Sequence, residues 1–149
     1  MKYQTDDLRI NEMKEVSPPS QVHSEFPLSE ASSECVHQAR NDIHNILQGE
    51  DDRLVVIVGP CTIQDTKAAH EYANRLLEQR NKLYDDLMIV MRVYFVNPRT
   101  TVGWKGLIND PNLDDSFEIN KGLRISRELL LDVNNLGMPA GTEYLDLIS

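Results

Sequence analysis

One stretch of the sequence gathers side chains that bind anions. Residues 91–111, MRVYFVNPRTTVGWKGLINDP, contain three cations, Arg92, Arg99 and Lys105, together with the hydroxyl group of Thr100. A guanidinium group presents a planar fork of donors that matches a phosphate or a carboxylate. Threonine hydroxyls and backbone N–H groups can complete such a cradle. The stretch therefore predicts a site for a phosphorylated, acidic small molecule; the alternative is a solvated basic loop that pairs with nearby aspartates.

A thiol and a carboxylate are the other candidate reactive groups. Cys61 follows Gly59-Pro60 and could be a soft metal ligand or a nucleophile. A lone cysteine is more often a small buried side chain with only a packing role. Glu143 could transfer protons or hold a cation, or it could pair with one of the arginines. No histidine or cysteine stands near Cys61 at the spacing of a zinc site. If Cys61 binds a metal, the other ligands come from elsewhere.

Apolar runs predict the elements that must position these groups. A helix is expected to start at Ser32 or Ser33 and to end at Gly49, and another to start at Asp65 or Thr66. The run at residues 54–58 is typical of a strand that is buried on both faces. The predicted strands are residues 54–58, 87–95 and 139–146, and the predicted helices are residues 33–47, 66–81 and 119–135.

The order of these elements, β-α-β-α-β, predicts an α/β fold with parallel strands joined by right-handed crossovers. Residues 31–149 would form this unit. Residues 1–30 would be an N-terminal arm, because SPPS and FPLS break helices and favour extended chain. The unit is either a small open sheet or the start of a (β/α)₈ barrel, which takes about 250 residues. In both cases the groups at the carboxyl ends of the strands meet at one edge.

Composition excludes several classes of protein. The 149 residues are 40% hydrophobic and carry a net charge of −9, which argues against nucleic acid or an anionic membrane as the main partner. No apolar run has the length of a membrane span, and the polar, acidic N-terminus is neither a signal nor a transit peptide. We expect both cysteines to be reduced thiols of a cytoplasmic protein.

Three motifs resemble one family. VVIVGPCTIQD, MRVYFVNPRTTVGWKGLINDP and AGTEYLD are similar to the first three strand-end motifs of 3-deoxy-D-arabino-heptulosonate 7-phosphate (DAHP) synthases, and YQTDDLRI resembles the N-terminus of the phenylalanine-sensitive members. The resemblance covers the whole chain. It implies an N-terminal extension followed by the first three β/α units of a (β/α)₈ TIM barrel, incomplete in the sequence as given.

The resemblance also implies an activity. Members of the family are transferases that condense phosphoenolpyruvate with erythrose 4-phosphate to DAHP and phosphate. This is the first step of the shikimate pathway to chorismate and the aromatic amino acids. The family uses a divalent metal ion (Mn, Fe, Co or Zn class) that polarises the sugar aldehyde. The resemblance also implies that phenylalanine is an inhibitor and that the protein assembles into a homo-oligomer.

The resemblance implies roles for individual residues of the proposed substrate site. Arg92 matches an arginine that binds phosphoenolpyruvate, and Arg99 and Thr100 match residues that hold the phosphate of erythrose 4-phosphate. Lys105 and Glu143 would line the phosphoenolpyruvate pocket.

The resemblance also implies residues of a metal site and of an inhibitor pocket. Cys61 matches the metal-binding cysteine, and the remaining ligands, a histidine and two acids from later strands, are absent from this sequence. The arm would cross to a neighbouring subunit and contribute to the inhibitor pocket through Asp6, Asp7, Leu8 and Ile10.

Two positions depart from the family pattern. Asn97 stands where the family usually has a lysine that lies between the two substrates, and Gln64 replaces a usual histidine. An asparagine keeps the hydrogen bonding of that lysine but loses the charge. Because only three of the eight strands of such a barrel and one of the four metal ligands are present, we expect no activity from the chain alone. The competing hypothesis is a non-catalytic truncated or pseudogene product that binds anions or contacts other subunits.

Overall fold

The computed structural model of the chain describes residues 6–10, 12–97 and 102–145. Within them the three strands form one parallel sheet in the order β1-β2-β3. The predicted α/β class with parallel strands is therefore confirmed. The elements are α1 (Pro19–Glu25), α2 (Glu30–Gln48), β1 (Leu54–Val58), α3 (Thr66–Lys82), β2 (Leu87–Arg92), α4 (Ile119–Asn135) and β3 (Ala140–Gly141).

Helix α2 begins earlier than the sequence indicates. The side chain of Ser29 accepts a hydrogen bond from the N–H group of Ser32 and caps the helix. The expected cap, Ser32, is instead fully buried inside α2, and its hydroxyl donates to the carbonyl oxygen of Leu131 on α4. The predicted stop is confirmed, because Gly49 has a left-handed φ of 76°. The cap of α3 by Asp65 is confirmed as well.

The arm contains a helix that the sequence reading missed. Pro18 is extended, but Pro19 occupies the first position of α1, where a missing N–H group costs no hydrogen bond. Arg124 of α4 then holds Glu25 with two bonds, 2.6 Å from Nε to Oε2 and 2.8 Å from Nη2 to Oε1. These hydrogen bonds keep the pKa of the Glu25 carboxyl below its ordinary value. The prediction of extended chain was therefore wrong for this segment, which is anchored on α4.

The strands differ from the expectations in burial and length. In β1, Leu54 is 65% exposed and Ile57 is 64% exposed, so the prediction that this strand is buried on both faces was wrong. The central strand β2 holds the buried positions instead. The third strand has only two residues, because its ladder consists of the pairs Met91–Ala140 and Arg92–Gly141.

The core lies between the sheet and helices α3 and α4. Met91 and Val93 from the β2 segment pack with Leu129, Val133 and Met138, and each of these five is at most 1% exposed. This packing fixes where β2 ends, and hence where the loop that follows it begins. None of the helices in the described part of the chain is long and apolar enough to cross a membrane.

Candidate functional site

The segments that follow β1 and β2 are joined by an arginine. Arg92 ends β2, and its Nη2 atom donates to the carbonyl oxygen of Cys61, 3.2 Å away. The guanidinium carbon lies 4.1 Å from the centre of the Tyr94 ring, a cation–π arrangement. Sequence reasoning missed Tyr94, although the alternation of side chains in extended chain places residues 92 and 94 on one face. The predicted meeting of the thiol segment with the arginine is present in the structure.

Glu143 lies just beyond β3 and reaches back to the end of β2. Its Oε1 atom accepts hydrogen bonds from the backbone N–H groups of Phe95 and Val96, both at 2.9 Å. Its Oε2 atom is buried and has no hydrogen-bond partner among the residues that the structure describes. Within the described part of the chain Glu143 forms no ion pair with an arginine, which was the alternative considered from the sequence. One oxygen therefore fixes the backbone where β2 ends, and the other remains available for a donor.

The cation-rich loop is closed at its base. Val96 and Gly106 form an antiparallel bridge, and the N–H group of Asn97 donates to the carbonyl oxygen of Lys105 at 2.9 Å. Gly106 has a φ of +114°, and a Cβ atom there would lie 2.1 Å from the carbonyl oxygen of Phe95. Only glycine fits this position. Arg99 and Thr100, the residues expected to hold a phosphate, lie outside the described residues.

A second bond joins the thiol segment to this loop. The hydroxyl of Thr62 donates to Oδ1 of Asn97 at 2.8 Å. The N–H group of Ile63 donates to the carbonyl oxygen of Tyr94 at 2.7 Å. Thr62 was not among the residues selected from the sequence, because a threonine beside a cysteine carries no distinctive signal. The structure thus brings Cys61 and Asn97 to neighbouring positions at one edge of the sheet.

Trp104 packs the far side of the loop. Its indole N–H group donates to the carbonyl oxygen of Asp110 at 2.7 Å, and its ring packs against the buried core. Asp110 is 2% exposed, and its Oδ2 atom accepts from the N–H group of Asp115 at 3.3 Å. These contacts fix the segment from Trp104 to Asp115, which follows the cation-rich loop.

The metal site remains a prediction. The Cys61 side chain is exposed and forms no disulfide within the described residues. The described residues hold no group of three or more histidine, cysteine, aspartate and glutamate side chains placed to bind a metal ion. They therefore do not form a metal site by themselves, and Cys61 is a single candidate ligand.

The arm residues expected at an inhibitor pocket form a turn. The N–H group of Ile10 donates to the carbonyl oxygen of Asp7 at 3.1 Å, and Asp7 has a φ of 57°. The turn exposes apolar side chains, with Leu8 at 70% and Ile10 at 52% exposure.

The parallel sheet with its cation-rich edge is the arrangement of α/β proteins that bind ligands at strand ends. Residues 25–149 match the profile of the DAHP synthetase I family, and the chain belongs to that family. It is 60% identical over 149 residues to the Phe-sensitive phospho-2-dehydro-3-deoxyheptonate aldolase of Escherichia coli (strain K12). It is 54% identical over 144 residues to the phospho-2-dehydro-3-deoxyheptonate aldolase of Haemophilus influenzae.

The matches cover this chain almost completely and the relatives only in part. The chain spans 43% of the length of the Escherichia coli enzyme and 40% of that of the Haemophilus influenzae enzyme, while 100% and 97% of this chain are matched. The solved structure of phospho-2-dehydro-3-deoxyheptonate aldolase from Francisella tularensis SCHU S4 has a TM-score of 0.89 and 52% identity. It covers 93% of this chain, which corresponds to 41% of that structure.

Proposed function

We propose that the chain supplies the first part of a DAHP synthase active site. In this proposal residues 1–30 are the arm, and residues 31–149 are the first three β/α units of a (β/α)₈ barrel. The observation that carries the proposal is the meeting of the segments after all three strands at one edge, through the bonds of Arg92, Glu143 and Asn97. Family membership supports the same conclusion.

The proposed substrates are phosphoenolpyruvate and erythrose 4-phosphate. Arg92, together with Lys105 and Glu143, would bind phosphoenolpyruvate, and Arg99 with Thr100 would hold the phosphate of the sugar. Two highly charged anions repel each other, so fixed cations around them offset this repulsion and align the reacting carbons. Carbon 3 of phosphoenolpyruvate then attacks the aldehyde carbon, water adds at carbon 2, and phosphate leaves. The stacking of Arg92 on Tyr94 supports this role, because it holds the guanidinium group in place before a substrate arrives.

A divalent metal ion of the Mn, Fe, Co or Zn class belongs to the proposal, with Cys61 as its one ligand in this chain. A bound ion of this kind would act as a Lewis acid toward the aldehyde. Cytoplasmic location, assembly into a homo-oligomer and inhibition by phenylalanine also remain predictions. Relatives named Phe-sensitive and phenylalanine-inhibited support the last of these.

The proposal is tested with a chimera, in which the chain is joined to the part of the Escherichia coli relative that follows the matched region. We expect the chimera to consume phosphoenolpyruvate only when erythrose 4-phosphate and manganese are present. The 149-residue chain alone should show no turnover above the blank without protein. A folded chimera that stays inactive, both as it is and with Asn97→Lys, would contradict the proposed activity.

The second candidate is a non-catalytic chain that binds anions or contacts other subunits. The neutral side chain of Asn97 at the closed base of the loop favours it, because this site has lost one cation. Binding of inorganic phosphate by the chain, combined with an inactive chimera, would support this candidate.

We predict that the arm controls the response to phenylalanine. In the chimera, the double substitution of Asp6 and Asp7 by alanine should raise the half-inhibitory phenylalanine concentration at least about tenfold, since loss of one charged partner costs roughly 1.5–3 kcal/mol. The measurement is a phenylalanine titration of initial rates, together with the oligomer mass. Glu12→Ala is the matched control, because Glu12 is an exposed acid of the same arm that pairs with Lys14. An unchanged inhibition curve with unchanged assembly would show that the arm is a frayed terminus.

A further inference from the structure

We propose that Thr62 is a positioning residue, which orients the side-chain amide of Asn97 as a neutral hydrogen-bond donor toward a bound substrate. The proposal rests on the proposed function of this site. The family usually has a lysine at position 97, so a role for Thr62 that acts through an asparagine amide does not follow from the family pattern.

The hydrogen bond between Thr62 and Asn97 has a direction that sets how the amide faces. The hydroxyl of Thr62 donates to Oδ1 of Asn97 at 2.8 Å. In a carboxamide the NH₂ group lies on the other side of the carbon from the oxygen, so this bond turns Nδ2 away from Thr62. No described residue accepts a hydrogen bond from Nδ2. Within residues 6–10, 12–97 and 102–145 the two protons of this NH₂ group therefore meet no acceptor, while the carbonyl oxygen of Asn97, which would repel an anion, is already engaged.

Backbone hydrogen bonds hold both Thr62 and Asn97 in place. Thr62 lies between Cys61, whose carbonyl oxygen is held by Arg92, and Ile63, whose N–H group is held by the carbonyl oxygen of Tyr94. The backbone of Asn97 is held by its own bond to Lys105. Both side chains are half-buried, which shields the bond between them from water. A donor that is fixed in advance stabilises developing negative charge without a cost of reorganisation in the reaction.

Without the hydroxyl of Thr62, the amide of Asn97 would lose its fixed orientation. The terminal torsion of an asparagine is broad and roughly two-fold, so an unheld amide presents its oxygen as readily as its NH₂ group. Thr62→Val keeps the branched shape and removes the donor, whereas Thr62→Ser keeps the donor. Loss of a whole preorganised donor lowers the turnover number by about 10²–10³. Loss of its orientation alone should lower it less, by about tenfold.

The kinetic test uses the chimera. We expect Thr62→Val to lower the turnover number about tenfold, and Thr62→Ser to restore it to within about twofold. In an Asn97→Ala background, Thr62→Val should have no further effect, because the residue through which it acts is gone. An effect of Thr62→Val that persists undiminished in that background, or a failure of serine to restore turnover, would show that Thr62 only packs the loop and would overturn the proposal.

A second measurement does not depend on activity. In the ¹⁵N-labelled 149-residue chain, the two side-chain NH₂ signals of Asn97 report its orientation, and inorganic phosphate serves as the probe. We expect phosphate to shift these signals in the parent chain and in Thr62→Ser, but not in Thr62→Val, while the backbone signal of Ile63 stays in place. If the chimera proves inactive both as it is and with Asn97→Lys, the proposed function fails, yet these spectra still decide the role of Thr62. Identical Asn97 signals and phosphate responses in the parent and in Thr62→Val would overturn it.

Discussion

Replacement of Gly122 by alanine should unfold the chain or lower its free energy of unfolding by more than about 3 kcal/mol, at the upper end of overpacking costs. Gly122 lies inside α4 and is buried, and a Cβ atom there would lie 2.1 Å from the carbonyl oxygen of Ile108. The atoms it would meet are backbone atoms of the segment that closes the loop, so they cannot rotate away. The better helix propensity of alanine returns only about 1 kcal/mol. Since a domain is stable by about 5–15 kcal/mol, the remaining loss is a large share of the total.

Urea denaturation of the 149-residue chain, followed by circular dichroism and by the fluorescence of Trp104, measures this effect. Ser126→Ala is the matched control in the same helix. Ser126 is 4% exposed, and its hydroxyl has no hydrogen-bond partner among the described residues. Its removal should leave stability unchanged or raise it, because an unpaired buried polar group costs about 1–3 kcal/mol. Equal midpoints for Gly122→Ala and the parent would mean that α4 and the segment at Ile108 are not in contact.

In the chimera, Asn97→Lys should raise the turnover number about 10- to 100-fold. Asn97 lies at the base of the cation-rich loop and offers a neutral donor, whereas a lysine would add a full positive charge beside the proposed anions. A single preorganised donor is worth roughly 10²–10³ in rate, and asparagine already provides part of it. The hydroxyl of Thr62 can also accept a hydrogen bond from the new ammonium group, so the lysine can be held in place.

Steady-state kinetics with both substrates varied measure the change. Val102→Lys is the control, because Val102 is 87% exposed in the same loop and a lysine there adds charge without reaching its base. We expect this control to stay within about twofold, since charges in water are screened over about 8–10 Å. A turnover number and Michaelis constants that stay within twofold in Asn97→Lys would place Asn97 away from the reacting centre.

The local sequence pattern predicts the helices and strands but not all of their boundaries. The apolar runs located β1, α3 and α4, because periodicity reflects which face is buried. The start of α2 was misjudged, since three nearby serines can each cap a helix. The choice among them depends on Ser32, which is buried against Leu131 and Asn135, 99 and 103 residues along the chain. No local pattern contains that contact.

In the candidate site, too, the sequence predicts which residues share one edge of the sheet but not which hydrogen bonds they form. Residues at one edge could be expected from the parallel order, because such strands align their carboxyl ends. The individual bonds could not. Glu143 binds the N–H groups of Phe95 and Val96, since the short β3 leaves these backbone donors without a ladder partner. The contact of Thr62 with Asn97 depends on how two loops close, which composition does not reveal.

The exposed outer strand has a consequence for the colloidal behaviour of the polypeptide. β1 presents Leu54 and Ile57 to water, and its outer edge, which pairs with no strand among the described residues, is a template for strands of other molecules. At neutral pH the net charge of −9 keeps copies apart. As acid neutralises the carboxylates, that repulsion weakens while the apolar edge is unchanged. Concentrated, mildly acidic solutions are thus the conditions under which this chain would form ordered, strand-paired aggregates.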